Sequence, residues 1–231
     1  MDSALFDRRR YPVVGAAEGY GEWAQTYDRT VAEGLDRPLL QRLTAIDWAG
    51  VERAADLACG TGRTGAFLKA RGVAAVDGVD ITAEMLAVAR LRGAHDSLHQ
   101  ADVAATPLAS DAYGLVTLVL ADEHLPSLMP VYREAARLLM PGGSFLLVGY
   151  HSFFIMQGMP THFHRADGAA LTIESHVHLF ADHFAAGQAS RLVLKAMDEC
   201  VIDEAWLATK PKWRKYLGWP VSFSLVLRKS V

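Results

Sequence analysis

Asp56-Leu-Ala-Cys-Gly60-Thr-Gly62 decides the fold. The apolar run Val51 to Ala58 leads into it, and a helical pattern from Arg63 to Arg71 leads out. A buried strand that breaks into glycines and then into a helix is the opening unit of a parallel α/β sheet. Glycine admits backbone dihedrals closed to other residues and lets a ligand approach the main chain closely. The helix behind the turn opens on free N–H groups, which favour an anionic group such as a carboxylate. Asp56 adds a carboxylate before the glycines.

Outward from this turn, strands and helices alternate. Gly72 stops the first helix, Ala74 to Val79 reads as a second strand, and Thr82 caps a helix over Ala83 to Arg92 that Gly93 closes. Leu98 to Ala101 and Leu115 to Leu120 read as the third and fourth strands. Met129 to Leu139 reads as a helix with Pro130 in its first turn. Ser144 to Tyr150 is a fifth strand after the turn Pro141-Gly142-Gly143. This order predicts an α/β, doubly wound sheet with helices on both faces.

After Tyr150 the period changes. Thr161 to Leu179 alternates around Asp167-Gly168, a hairpin signal. A two-residue turn there sets His164 opposite Leu171 and His162 opposite Ile173, on an apolar face, with His176 and His178 on the other. That register disfavours a four-histidine metal site, and no metal is expected. A helix near Asp182 to Ser190 and strands at Leu192 to Ala196 and Phe223 to Leu227 complete the chain.

A chain of 231 residues with 51% hydrophobic and 21% charged residues suits one domain with a proper core. We expect residues 1–50 as a helical or irregular segment, 51–150 as a ligand-binding core, and 151–231 as hairpin and closing strands. The net charge of −3 offers no phosphate-tracking surface, so no nucleic-acid partner is expected. Lys210-Pro-Lys212-Trp-Arg214-Lys215 reads as a solvated loop. Only Cys59 and Cys200 are cysteines, Arg8-Arg9-Arg10 has no apolar segment behind it, and no run reaches the length of a membrane span. A cytoplasmic location without membrane association follows as an expectation.

Two further acids follow strands. Val79-Asp80 places a carboxylate where it can accept both hydroxyls of a ribose, and Asp102 follows the third strand, in reach of a base amino group. Plainer roles exist for each: Asp56 and Asp102 as turn residues, Asp80 as a helix cap. All three lie at the sheet edge where open α/β sheets bind ligands.

Asp56-Leu-Ala-Cys-Gly-Thr-Gly, Val79-Asp80-Ile-Thr-Ala-Glu-Met-Leu, Gln100-Ala-Asp102-Val and Arg137-Leu-Leu-Met-Pro-Gly-Gly resemble the successive motifs of class I S-adenosylmethionine-dependent methyltransferases. The spacing most resembles the quinone-biosynthesis branch, which acts on small molecules. The resemblance covers roughly residues 15–150. It implies a Rossmann-like seven-stranded sheet with the last strand antiparallel, S-adenosylmethionine as cofactor, and methyl transfer to a small-molecule substrate. It places Asp56, Gly60 and Gly62 on the methionine part, Asp80 on the ribose, and Asp102 with Val103 on the adenine. Ala58, Ile81 and Met85 complete the implied cofactor set. Tyr20-Gly-Glu-Trp23-Ala-Gln-Thr-Tyr27-Asp28 resembles the branch's lid segment, in which a tyrosine, here Tyr27, closes over the cofactor. The pattern departs at Tyr113-Gly114-Leu115-Val116, where glycine replaces the family's usual acid.

Methyl transfer needs the acceptor held in line, and a base only if the acceptor must lose a proton. His124, in Ala121-Asp122-Glu123-His124 after the fourth strand, is the candidate base; the plainer reading has Glu123 and His124 binding loop backbone. Tyr150 and His151 follow the fifth strand as further pocket candidates. An NAD(P)-linked oxidoreductase would share the glycine turn and Asp80, but Asp56, Asp102 and the absence of a Tyr-x-x-x-Lys pair stand against it. A non-catalytic cofactor-binding partner protein is the other alternative. The oligomeric state is open.

Overall fold

The protein is described by a computed structural model covering residues 1–31 and 33–230. Its first part holds strand β1 (Val13–Val14) and helices α1 (Ala16–Thr30) and α2 (Arg37–Arg42). The alternating region then gives β2 (Arg53–Leu57), α3 (Arg63–Ala70), β3 (Ala75–Asp80), α4 (Ala83–Arg92), β4 (Ser97–Gln100) and β5 (Tyr113–Val119). It continues through α5 (Met129–Leu138), β6 (Leu139–Tyr150) and α6 (Ser152–Met156). The remainder supplies β7 (His162–His164), β8 (Ala170–Ile173), α7 (Phe180–Ala189), β9 (Leu192–Val201), α8 (Glu204–Thr209) and β10 (Pro220–Lys229).

Seven strands form one sheet in the order β4-β3-β2-β5-β6-β10-β9, with β10 antiparallel to both neighbours and the others parallel. The chain winds from β2 outward to β4, then returns to lay β5 against the other side of β2. This reversal opens a crevice at the carboxyl ends of β2 and β5. Both faces of the sheet are covered. Ala55, Leu57, Val116 and Leu118 point into one apolar layer with α5 and α7, while Ala54, Leu115 and Leu146 point into the other with Phe67 and Leu68 of α3. Each of these leucines is fully buried, worth about 1.5–3 kcal/mol apiece. Burial on both faces explains why β5 reads as a continuous Leu-Val-Thr-Leu-Val run rather than an alternating one.

β6 starts earlier than the Pro-Gly-Gly turn suggests. Tyr113 pairs with Leu139 and Leu115 with Ser144, so Met140 to Gly143 bulge out within the strand, opposite Gly114.

The hairpin corrects the expected register. His162 pairs with Thr172, Phe163 with Leu171 and His164 with Ala170, one residue away from the two-residue-turn pairing. The cause is a wider turn: Arg165 N donates to Ala169 O at 2.9 Å, and Gly168, at φ +87°, donates to Arg165 O. The slip puts His162 and His164 on the face opposite Phe163, Leu171 and Ile173, so they do not sit on the apolar face. His178 leaves the ribbon altogether to bond Leu125 O at 2.7 Å. Among the described residues no group of three or more His, Cys, Asp or Glu is arranged to hold a metal ion.

The apolar face of this hairpin receives α1. Tyr20, Trp23 and Tyr27 share one helix face, as their spacing predicts, and Trp23 stacks on Phe163 at 5.6 Å between ring centroids. β1 adds a third, parallel strand to the ribbon through Val13–Thr172 and Val14–Ile173. Among the described residues no helix is long and apolar enough to cross a membrane.

Candidate active site

The glycine turn is hooked to the next strand before any ligand is considered. Cys59 N donates to Val79 O at 3.0 Å and Gly62 N to Cys59 O at 2.9 Å. Gly60 and Gly62 take φ of +53° and +85°, and a Cβ on Gly60 would meet nothing within 4 Å, so this edge of the turn is open. Ala58 and Leu120, at the ends of β2 and β5, also hold positive φ, +52° and +55°. Such strain in residues with a Cβ costs about 1–3 kcal/mol and persists where surrounding structure imposes it, often at functional sites.

Asp80 is the anchor of the crevice. Its Oδ2 accepts Gly60 N and its Oδ1 accepts Thr82 N, each at 2.8 Å, tying turn to helix α4. Burial pushes its carboxyl above the ordinary value, an effect those two backbone donors oppose. With the Thr82 hydroxyl as a third donor the carboxylate still has lone-pair capacity left, and Asp80 lines a cavity of about 390 Å³.

Ala58, Gly60, Asp80, Ile81, Met85, Asp102, Val103, Tyr27 and His124 all line that cavity. Ile81 leaves 51% of its surface uncovered there, an apolar platform unusual in a side chain that a core could take. Asp102 also keeps its plainer role, Oδ1 accepting Ala104 N at 2.8 Å.

Asp56 and Gly62 do not line it. Asp56 is 1% exposed, with Oδ1 accepting from Thr117 Oγ1 at 2.8 Å and Oδ2 3.0 Å from His95 Nε2. It braces the turn from beneath. A Cβ on Gly65 would stand 2.5 Å from the His95 ring, so glycine is required for that packing. Gly62 caps α3 and faces Ala89, Arg92 and His95.

A second cavity, of about 850 Å³, shares Tyr20, Tyr27 and Leu120 with the first as a common wall. His124 sits behind this wall. Its Nδ1 lies 2.7 Å from Glu174 O, a carbonyl that can only accept, so Nδ1 carries the proton. Nε2 is then the lone pair that accepts the Tyr20 O–H at 2.8 Å. His124 thus binds loop backbone, as its plainer reading has it, and its other nitrogen faces Tyr20. Burial foremost pushes the Tyr20 phenol well up. Next along the chain, burial and then the Glu123 charge hold the Asp122 carboxyl far above the carboxylate range.

Tyr150 lines the larger cavity, whereas His151 turns away, capping Phe153 N at 3.1 Å and bonding Glu199 at 2.8 Å. The sequence did not single out Tyr20 for the wall. Its spacing with Trp23 and Tyr27 marked the face but not which ring reaches the sheet. Nor was the Asp56–Thr117–His95 brace foreseen, since His95 lies in a loop without a motif.

Residues 55–147 match a family profile described as a methyltransferase domain. The chain is 39% identical over 105 residues to a malonyl-[acyl-carrier protein] O-methyltransferase of Enterobacter lignolyticus, a match covering 46% of this chain and 40% of that protein. It is 30% identical over 131 residues to methyltransferase GfsG of Streptomyces halstedii, covering 54% and 47%. The matched region thus spans about half or less of these relatives' length. Among solved structures, an S-adenosylmethionine-dependent methyltransferase of Mesorhizobium loti superposes with a TM-score of 0.68 at 21% identity, covering 83% of this chain and 96% of that one. Residues 55–147 are thus similar to a methyltransferase domain, and the chain has the fold of the S-adenosylmethionine-dependent methyltransferases.

Proposed function

We propose that this chain transfers the methyl group of S-adenosylmethionine to a small-molecule acceptor. The observation that carries the reading is the Asp80 carboxylate, with lone pairs to spare, in a crevice that shares one aromatic wall with a second, larger cavity. Asp80 takes the ribose hydroxyls, and Ile81, Met85, Asp102 and Val103 take the adenine. Ala58, the open edge of Gly60, and Tyr27 border the methionine end. Bound there, the cofactor supplies a sulfonium methyl, an electrophile that needs no further activation.

The chain's own work is to hold the acceptor and remove water. Tyr20, between the cavities, receives the acceptor's proton while passing its own to His124 Nε2, and the Glu174 carbonyl holds the imidazole in the required tautomer. Helix α1 serves as lid, with residues 1–50 covering the 51–150 core and the hairpin of the 151–231 part closing the acceptor side. Thr61 Oγ1 donates to Asp28 of this helix at 2.7 Å, and Arg92 pairs with the same carboxylate, so the lid latches on the glycine turn. Both cysteines are free and buried, in keeping with a cytoplasmic enzyme.

Calorimetric titration with S-adenosylmethionine and with NAD tests the cofactor, and transfer of labelled methyl to fractions of a metabolite extract tests the reaction. Heat with NAD and none with S-adenosylmethionine would overturn the reading. Tyr20→Phe should leave cofactor affinity within about twofold and cut transfer by roughly a hundredfold.

A further inference from the structure

The larger cavity has chemistry that the methyl donor does not use. Its floor includes Glu123, which is 3% exposed. Glu123 Oε1 accepts from Thr161 Oγ1 at 3.2 Å, and Oε2, closed to solvent, has no donor beyond the proton that the neighbouring Asp122 carboxyl shares with this side chain. A buried carboxylate with four lone-pair positions and only these donors is under-satisfied, which is costly in a folded protein. A ligand N–H or O–H in the cavity would satisfy it.

The rim is the reverse. Arg8, Lys210, Lys212 and Lys215 surround the opening, in a chain whose net charge is −3. Among the residues whose side chains are described, no carboxylate lies within the 4.0 Å of an ion pair to Arg8, Lys212 or Lys215. The segment expected to be a solvated loop has no buried residue and winds into a 3₁₀ turn, Pro211–Tyr216, whose aromatics line the wall. Lys210 sits 5.6 Å from the Trp213 ring centroid and Lys215 sits 4.8 Å from that of Tyr216. Trp213 in turn stacks on Phe154 at 5.5 Å. Cations are thus carried on aromatic faces that are themselves fixed to the core.

We propose that this cavity binds the acceptor, and that the acceptor is a small, flat apolar acid carrying a hydroxyl or amino group at the end away from its acidic group. The acid meets the lysine rim, the flat body lies among Trp213, Tyr216 and Trp219, and the donor group completes Glu123 Oε2. That the ligand is a methyl acceptor rests on the proposed function; its binding does not.

Three compounds of one skeleton separate the contributions: para-coumarate, cinnamate, which lacks the hydroxyl, and methyl para-coumarate, which lacks the charge. Calorimetric titration of the full chain, free and saturated with S-adenosylhomocysteine, should rank para-coumarate about tenfold tighter than either of the others. Lys212→Gln with Lys215→Gln should bring para-coumarate down to the ester's affinity, while Glu123→Gln should erase most of the preference over cinnamate. Both variants should keep S-adenosylhomocysteine affinity within about twofold, which reports an intact fold. Equal affinity for the three compounds, no binding of any, or para-coumarate affinity unmoved by the lysine changes would overturn the proposal. Absence of heat with S-adenosylhomocysteine would instead remove the methyl-transfer reading, while the titrations on the free chain still decide the cavity.

Discussion

Replacing Asp80 by asparagine isolates the charge at the centre of the smaller cavity. The carboxylate accepts Gly60 N and Thr82 N at 2.8 Å, one on each oxygen. The amide keeps one of these bonds and turns its NH₂ toward the other N–H, a loss of about 1.5–3 kcal/mol. Relief of a buried charge offsets part of this, because burial already disfavours ionised Asp80. Folding stability should therefore change by no more than about 2 kcal/mol. Ligand affinity has no such compensation. Each ribose hydroxyl exchanges a charged acceptor for a neutral partner, about 1 kcal/mol apiece, so S-adenosylmethionine should bind roughly thirtyfold more weakly. The wild-type affinity should also fall on acidification, with a midpoint above the ordinary carboxylate value, because protonated Asp80 is the weaker acceptor. The variant should lack that dependence. Calorimetry over a pH series, with thermal melting by circular dichroism as the fold control, measures both. Affinity within about threefold of wild type, with an unchanged melt, would refute the ribose assignment.

Asp122→Asn tests the other raised carboxyl: the folded chain holds that proton more tightly than the unfolded chain, so its stabilisation is present below the unfolded value and lost as pH rises through the folded one. The variant should therefore exceed wild type in guanidinium unfolding by a margin that grows as pH rises above the ordinary carboxylate value, and a constant margin would contradict this. His95→Ala removes a fully buried ring and one partner of Asp56, and should cost about 3 kcal/mol in urea unfolding; a loss below about 1 kcal/mol would show that the brace carries little. Hydrogen exchange with and without S-adenosylhomocysteine should show ligand-dependent protection in residues 18–30 as well as in the glycine turn. Equal exchange in both states would make α1 a fixed part of the core, and Tyr27→Phe would then leave cofactor affinity untouched.

What was legible in the sequence was local. The strand-glycine-helix unit at Asp56 to Gly62, the cap-to-Gly93 span of α4 and the apolar run of β5 each carry their own signal within a few residues. The hairpin was legible as a hairpin but not in register, because the Arg165–Ala169 bond that widens its turn has no marker beyond the same Asp-Gly pair. The pairing of β1 with β8 joins two residues to a strand at the far end of the chain, and a two-residue strand has no periodicity to read. The acids after β3 and β4, which line the smaller cavity, were marked by their place at strand ends. Asp56 was placed correctly on its strand, but its direction depends on His95 and Thr117, which no motif couples to it.

The last strand in sequence is an inner strand of the sheet. β10 lies between β6 and β9, and Phe223, Leu225, Val226 and Leu227 are buried on its two sides. During synthesis, β6 and β9 therefore emerge from the ribosome with facing edges open, and they stay open until residues 220–229 have cleared the exit tunnel. Unpaired edges of this kind are templates for pairing with other chains. Completion of the sheet thus waits for its seventh strand, and a nascent chain stalled before Pro220 would present two sticky edges to its neighbours.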